Sequence, residues 1–386
     1  MELYKPKIRA VEIFPTLIDG KEMIILKDPL DICSQMVFLT PESFSLVALM
    51  DGNKTLDDLR IEFFKNKGIL PSSDEILLLV KQLSDLGLLE DEKFSYILRS
   101  KTENLLKNGI RPSICAGNSY PSSTEDLIEF LKEIEKIEVL ERERMPDFLI
   151  SPHLDINLSR ATYAHSYKDL KINEKKTIII FGVSHYGLSK PISILPIPFK
   201  TPLGIVKIDK ELADIFIKNF GKPDEFEIIS HSREHSIELQ LIFLQYFLKK
   251  DFLILPVLVD FSRGSFENYK EYFFDLIERK EIFFIAGIDL SHIGPRYGDQ
   301  FPATEDFMEK VKEEEKYLID LVIKKDKENF EKFEKEKGSA LKICGIGILK
   351  MLLDFQIKSG KIRYHQTGFM PQIASAVNCI SMDLFF

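Results

Sequence analysis

Short apolar runs that close in polar, glycine-containing turns alternate along this chain with stretches whose apolar residues recur at helical spacing. The plainest run is Ile282-Phe283-Phe284-Ile285-Ala286, followed by Ile288-Asp289-Leu290-Ser291-His292-Ile293-Gly294. Such a run predicts a buried strand whose polar turn delivers side chains to a sheet edge. In open α/β sheets that carboxyl edge is where ligands bind. Two further runs end the same way, Phe148-Leu149-Ile150 before Ser151-Pro152-His153, and Thr177 to Phe181 before Gly182-Val183-Ser184-His185. Three strands ending in histidines point to one site. Phe252 to Val259 is almost continuously apolar, as expected of a strand covered on both faces. Glu234-His235-Ser236-Ile237-Glu238 reads as the opening of an amphipathic helix carrying Leu241, Leu244 and Phe247. The charged run from Glu305 to Lys337 keeps Tyr317, Leu318, Leu321, Val322 and Ile323 at helical spacing, which predicts a solvated helix pair. The fold class is α/β: a helix-covered mixed β-sheet, preceded by a smaller module.

That module occupies residues 1–105. Val11-Glu12-Ile13-Phe14 and Met23-Ile24-Ile25-Leu26 flank the turn signal Asp19-Gly20. Helix starts follow at Thr40-Pro41, Thr55-Leu56-Asp57-Asp58 and Ser72-Ser73-Asp74-Glu75, each a capping residue before a proline or acids. The third helix breaks at Gly87 into Leu88-Leu89-Glu90. Three short helices followed by a small β element read as a winged helix. Many winged helices bind DNA, but residues 1–100 carry 12 Lys/Arg against 17 Asp/Glu, and phosphate contact needs the opposite sign. The helix order and the Leu86-Gly87-Leu88-Leu89 ending resemble the peptide-clasping domains related to the PqqD chaperone, which implies a peptide or protein partner. A purely structural appendage is the alternative. The polar stretch from Ser100 to Asn108-Gly109 reads as a linker, and the second domain covers residues 111–386.

Composition narrows the class further. The 386 residues are 45% hydrophobic and 29% charged, as in a globular protein with a real core, and the net charge of -9 disfavours nucleic acid. No apolar run approaches the ~18–20 residues of a membrane span. The start, Met1 to Lys7, has no apolar signal region. Four irregularly spaced cysteines, Cys33, Cys115, Cys344 and Cys379, make no disulfide framework. A reduced, cytoplasmic setting is expected.

Arg111-Pro112-Ser113-Ile114-Cys115-Ala116-Gly117-Asn118-Ser119-Tyr120-Pro121 resembles the opening of the MEMO family, whose motif is A-G-x-[WF]-Y-P. Ser119 replaces the usual aromatic. Gly182-Val183-Ser184-His185, Thr201-Pro202-Leu203-Gly204, Glu234-His235-Ser236-Ile237-Glu238, Asp289-Leu290-Ser291-His292 and Cys344-Gly345-Ile346-Gly347 match further motifs in order. Where the family has Pro-His-Ala-Gly-Tyr-x-Tyr-Ser-Gly, this chain has Pro152-His153-Leu154-Asp155-Ile156-Asn157-Leu158-Ser159-Arg160, so the wall beside His153 is reshaped. The resemblance implies a fold similar to the class III extradiol ring-cleaving dioxygenases, which hold Fe(II) with two histidines and a carboxylate. It places His153, His185 and Cys344 in one cavity, with Cys344 where the carboxylate would be and His292 where those enzymes keep an acid/base histidine. Prokaryotic members are called AmmeMemoRadiSam system protein B, which implies a companion radical SAM protein and a peptide or protein substrate.

The residues themselves allow this chemistry and a blander one. Two imidazoles and a thiolate suit Fe, Cu or Zn rather than Mg or Ca, yet a free cysteine is more often a small core residue. Asp289 either orients the His292 ring or caps a turn. His235 and Glu238, three apart on one helix face, either both point at the site, or Glu234 and Glu238 merely solvate a helix end. His165, His231 and His365 are given no role, and Cys115 and Cys379 read as core. The expected function is metal-dependent redox or peptide-modifying chemistry with His292 as acid/base. The alternative is a non-catalytic scaffold that binds peptide or metal in an old enzyme cavity.

Overall fold

The computed structural model describes residues 4–172 and 176–386. The first three residues of the Met1-to-Lys7 start, read above for a signal region, lie outside the described residues. The chain divides into two compact units, residues 1–108 and 109–386.

The first unit opens with β1 (Glu12–Ile18), β2 (Lys21–Lys27) and β3 (Val37–Leu39) in an antiparallel sheet ordered β1-β2-β3. Asp19 and Gly20, at φ 50 and 74, make the two-residue link that a twisted hairpin favours. Helices α1 (Pro41–Val47), α2 (Leu56–Lys67) and α3 (Ser73–Asp85) start where expected, with Thr40, Thr55 and Ser72 each accepting from the backbone three residues on. Their inward faces, including Leu46, Leu59, Phe63, Ile76, Val80 and Leu83, share a core with Leu26 and Leu39. Two expectations change here. The β element after α3 is a single bridge, Leu89 to Ile8, and the sheet precedes the helices. Nor is the stretch after Ser100 a linker: α4 runs unbroken over Glu92–Asn108. Polar composition misleads because Leu98 and Thr102 alone anchor its buried stripe, and Asn108-Gly109 ends the helix, with Gly109 at φ 67.

In the second unit α5 (Thr124–Glu135) leads into β4 (Phe148–Ser151), α6 (Ile156–Tyr167) and β5 (Thr177–Val183). Short strands β6 (Ile192–Ile194), β7 (Phe199–Thr201) and β8 (Gly204–Ile208) follow, then α7 (Lys210–Phe220), α8 (Glu225–Arg233) and α9 (Glu238–Leu248). Next come β9 (Leu253–Val259), α10 (Lys270–Ile277), β10 (Ile282–Gly287) and β11 (Asp289–Ile293). The chain finishes with α11 (Glu305–Lys324), α12 (Lys327–Leu341), α13 (Ile346–Leu352), β12 (Ser359–Met370) and β13 (Ser375–Phe385). The sheet path is β11-β13-β4-β10-β5-β9-β8-β7, with β12 joined to β13 and β6 to β9. Its centre, β4-β10-β5-β9, is parallel throughout, and antiparallel strands finish both edges. This is a large mixed sheet covered by helices. Phe148, Phe284 and Phe181 stack across its middle at 5.9 and 6.3 Å between neighbouring centroids.

Two segments near the strand ends differ from expectation. Residues 289–293 form an edge strand paired with β13 rather than a turn, because Leu290 and Ile293 bury into the sheet edge. Glu234 to Ile237 lie between α8 and α9, with Glu234 extended at φ -80 and ψ 130, so they do not open a helix. Among the described residues no helix is long and apolar enough to cross a membrane.

Candidate active site

Register at the carboxyl ends of the parallel strands sets the site. Gly287 of β10 pairs with Ser151 of β4 on one side and Gly182 of β5 on the other. His153 and His185 therefore leave the sheet on either flank of β10. A Cβ on Gly287 would sit 2.5 Å from the Ser236 carbonyl, so only glycine lets the α8–α9 junction press against this strand end. Cys344 arrives from the turn between α12 and α13. Its neighbour Gly345 packs so closely that an added Cβ would meet Ile288 Cβ at 2.6 Å.

The structure brings His153, His185 and Cys344 together. One ligand atom from each lies within 4.8 Å of the others. Cys344 Sγ is 3.4 Å from His153 Nε2. Each imidazole is held from behind. His153 Nδ1 lies 2.9 Å from the Gly287 carbonyl, and His185 Nδ1 lies 3.0 Å from Glu234 Oε1. Carbonyl and carboxylate accept, so both rings carry the proton on Nδ1 and leave Nε2 for the shared space.

Glu234 does not solvate a helix end: it lies in the extended junction between α8 and α9 with its side chain turned inward. It is buried and accepts backbone N–H groups from His185, His235 and Ser236, each at 2.9 Å, besides the His185 ring. Burial would raise its carboxyl, but His185 holds it well below the ordinary range. Burial also opposes charge on His153, yet Asp289 and Cys344 bring that imidazole up to about 9. For the Cys344 thiol burial works upward, and His153 and His185 outweigh it, lowering it to about 6. A thiolate thus faces two proton-holding imidazoles.

These donors suit a transition metal. A tetrahedral ion bonded at about 2.0–2.3 Å keeps its nitrogen and sulfur ligands roughly 3.5 Å apart, close to the 3.4 Å between Cys344 Sγ and His153 Nε2. The protons that otherwise hold this cluster together are those that metal binding releases.

The other expected site residues fall out differently. His292 lines the same cavity, but its Nδ1 is held by the Leu290 carbonyl at 2.9 Å. Asp289 does not orient it. Its Oδ1 accepts from the His153 backbone N–H at 3.1 Å, and Oδ2 lies 3.5 Å from His153 Nε2. As β11 is a strand, residues three apart point to opposite sides, save that a register shift between Asp289 and His292 brings both to the cavity. His235 does line it, with its ring stacked on His185 at 4.8 Å. Burial lowers His235 to about 3, so it is neutral. Glu238 turns away. It pairs with Arg111 and accepts from the Cys115 N–H at 2.9 Å and Tyr120 Oη at 2.5 Å, so it clamps the 111–120 motif. His235 and Glu238 share no helix face, because 235 precedes the helix. Of the histidines given no role, His231 is buried and His365 Nε2 sits 2.7 Å from buried Glu315. His165 stacks on Tyr364. Cys115 and Cys379 are buried.

The cavity holds about 520 Å³ and is further lined by Ser119, Leu154, Asp155, Arg296, Tyr297 and Lys342. Cys344 also borders a second cavity of about 590 Å³ beside Phe261 and Gly347. The second unit matches the model of a family described as Memo-like protein over residues 111–377. A MEMO1 family protein of Aquifex aeolicus is 33% identical over 299 residues, covering 76% of this chain and 77% of its own. One of Thermus thermophilus is 29% identical over 342 residues, 87% of this chain and 100% of its own length. One of Methanosarcina mazei is 31% identical over 259 residues, 66% of this chain and 89% of its own.

Proposed function

The chain belongs to the Memo-like family, and from that premise we propose that it binds a transition metal (Fe, Cu or Zn) through His153, His185 and Cys344 and acts on a small or peptidic substrate. The observation that carries this reading is the approach of the three ligand atoms to within 4.8 Å of one another. When bound, such an ion supplies Lewis-acid or redox chemistry to a molecule in the cavity. The chain's own groups do the rest. Glu234 fixes the tautomer and direction of His185. His292, whose Nδ1 is held by the Leu290 carbonyl, has Nε2 left to take a proton as general base and to return it as general acid. Asp289 and the Gly287 carbonyl hold His153 in place. A radical SAM protein and its peptide are the partners this reading expects.

A non-catalytic scaffold is the second reading. What favours it is Cys344, since a thiol lowered to about 6 is readily oxidised where oxygen is activated. Elemental analysis of anaerobically purified protein, then oxygen-uptake assays, tests both. About one equivalent of metal in the native protein and none in His185→Ala supports the metal site. Metal without turnover favours the scaffold, and no metal in the native protein overturns the proposal.

A further inference from the structure

We propose that Arg296 is the anchor for a carboxylate on the ligand of this cavity, so that the molecule taken is a small monocarboxylic acid. This rests on reading the cavity as the reaction site, but not on the metal.

The cavity wall carries charges of both signs, and of its two cations on long side chains, Lys342 and Arg296, Arg296 alone has no carboxylate partner among the described residues. Asp155 accepts from the Asn157 N–H at 2.8 Å as a helix cap. Asp289 is committed to the His153 backbone and ring. Lys342 Nζ pairs with Asp299 at 2.7 Å and also donates to the Ala340 carbonyl. Among the described residues, no carboxylate oxygen lies within the 4.0 Å ion-pair distance of the Arg296 guanidinium. Its backbone is nonetheless fixed, because it sits in the turn Pro295–Tyr297 and donates its N–H to Ser375 Oγ at 3.0 Å. Water satisfies an exposed guanidinium, so what marks Arg296 as an anchor is its place: on a fixed turn at the cavity wall, with no carboxylate to compete with a ligand's.

The chemistry selects which anion. A guanidinium binds carboxylate or phosphate through two parallel N–H bonds. With Lys342 paired to Asp299, a single guanidinium is left for the ligand, which matches a carboxylate and would leave a phosphate dianion half compensated at that anchor. About 520 Å³ is the size of a small-molecule site. The Arg296 guanidinium hydrogen-bonds the Tyr297 side chain, and the Tyr297 ring packs edge-on against His292 at 4.9 Å, which links the anchor to the proposed acid/base. A ligand held at Arg296 would share one cavity with His292 and with the cluster of His153, His185 and Cys344.

The test uses the full chain stripped of metal, titrated by calorimetry with benzoate, benzamide and phenyl phosphate. Benzoate is expected to bind at least tenfold tighter than benzamide and tighter than phenyl phosphate. Arg296→Gln should erase the preference for benzoate over benzamide, and Arg296→Lys should restore it in part. Arg296 is exposed, so both variants should fold, which circular dichroism checks. Equal binding of benzoate and benzamide to the native protein, no binding of benzoate, or full retention in Arg296→Gln overturns the proposal. Tighter binding of phenyl phosphate overturns the carboxylate assignment. Arg296→Gln should take up metal like the native protein, so failure here is distinct from failure of the metal site.

Discussion

Glu234 Oε1 stands 3.0 Å from His185 Nδ1, and the same carboxylate accepts the His185 backbone N–H at 2.9 Å. One buried acid thus fixes both the position and the tautomer of one imidazole. Glu234→Gln keeps an acceptor oxygen but turns an amide N–H₂ toward donors. Metal affinity should fall by about 10–100-fold, the usual cost of losing such a partner. Competition against a chelator of known affinity measures it. Unchanged affinity would make Glu234 a purely structural residue.

His292→Ala should keep its metal and lose about 10²–10⁴ in any turnover, because an acid/base contributes that much without being a ligand. Cys344→Ala should lose the metal. Elemental analysis of both variants decides. Metal lost from His292→Ala and kept in Cys344→Ala would exchange their roles.

The metal-free protein offers a pH test with a definite sign. A thiol lowered to about 6 is mostly thiolate at neutrality, so alkylation of Cys344 by iodoacetamide should rise through pH 6 and level off by about 7. An ordinary thiol, near 8.5, would still be gaining rate at about pH 8. His153→Ala removes a lowering partner and should move the curve upward. Cys33, Cys115 and Cys379 are buried and should stay unlabelled in the folded chain. Mass spectrometry of the labelled peptides reads the rates.

Arg111 and Glu238 are fully buried partners, and removing one leaves the other charged and dry. Glu238→Ala should destabilise the second unit by about 3–5 kcal/mol. Urea melts followed by circular dichroism give the loss. Arg111→Met paired with Glu238→Leu should recover part of it, since the uncompensated charge is then gone.

The strand-end histidines are legible in the sequence because the physics is local. An apolar run such as Thr177 to Phe181 must be a buried strand, and the polar residues after it must emerge at an edge. The capped starts of α1, α2 and α3 are legible for the same reason. Glu234, Arg296 and Lys342 are not. Each acquires its place through a tertiary approach, Glu234 through an extended junction that interrupts an apparent helix. Spacing assigns Asp289 to His292, whereas its partner comes from the residues after β4, across the sheet from its own strand. The helical end at Asn108 is hidden because a solvated helix and a linker share a polar composition.

The three proposed ligands are tethered unequally. His153 and His185 follow strands on either side of β10, whose backbone ladders are buried at the centre of the sheet. Amides there should exchange with deuterium only when the whole unit opens. Cys344 instead sits on a short turn whose Lys342 is at φ 50, held by a few single bonds, from Gly345 N–H and Cys344 Sγ to the Asp289 carbonyl and from Lys342 to Asp299, rather than by a ladder. A local opening of that turn can free the sulfur while both imidazoles stay put. Exchange of a bound ion should therefore begin at the thiol, with a rate set by one turn and not by the stability of the sheet.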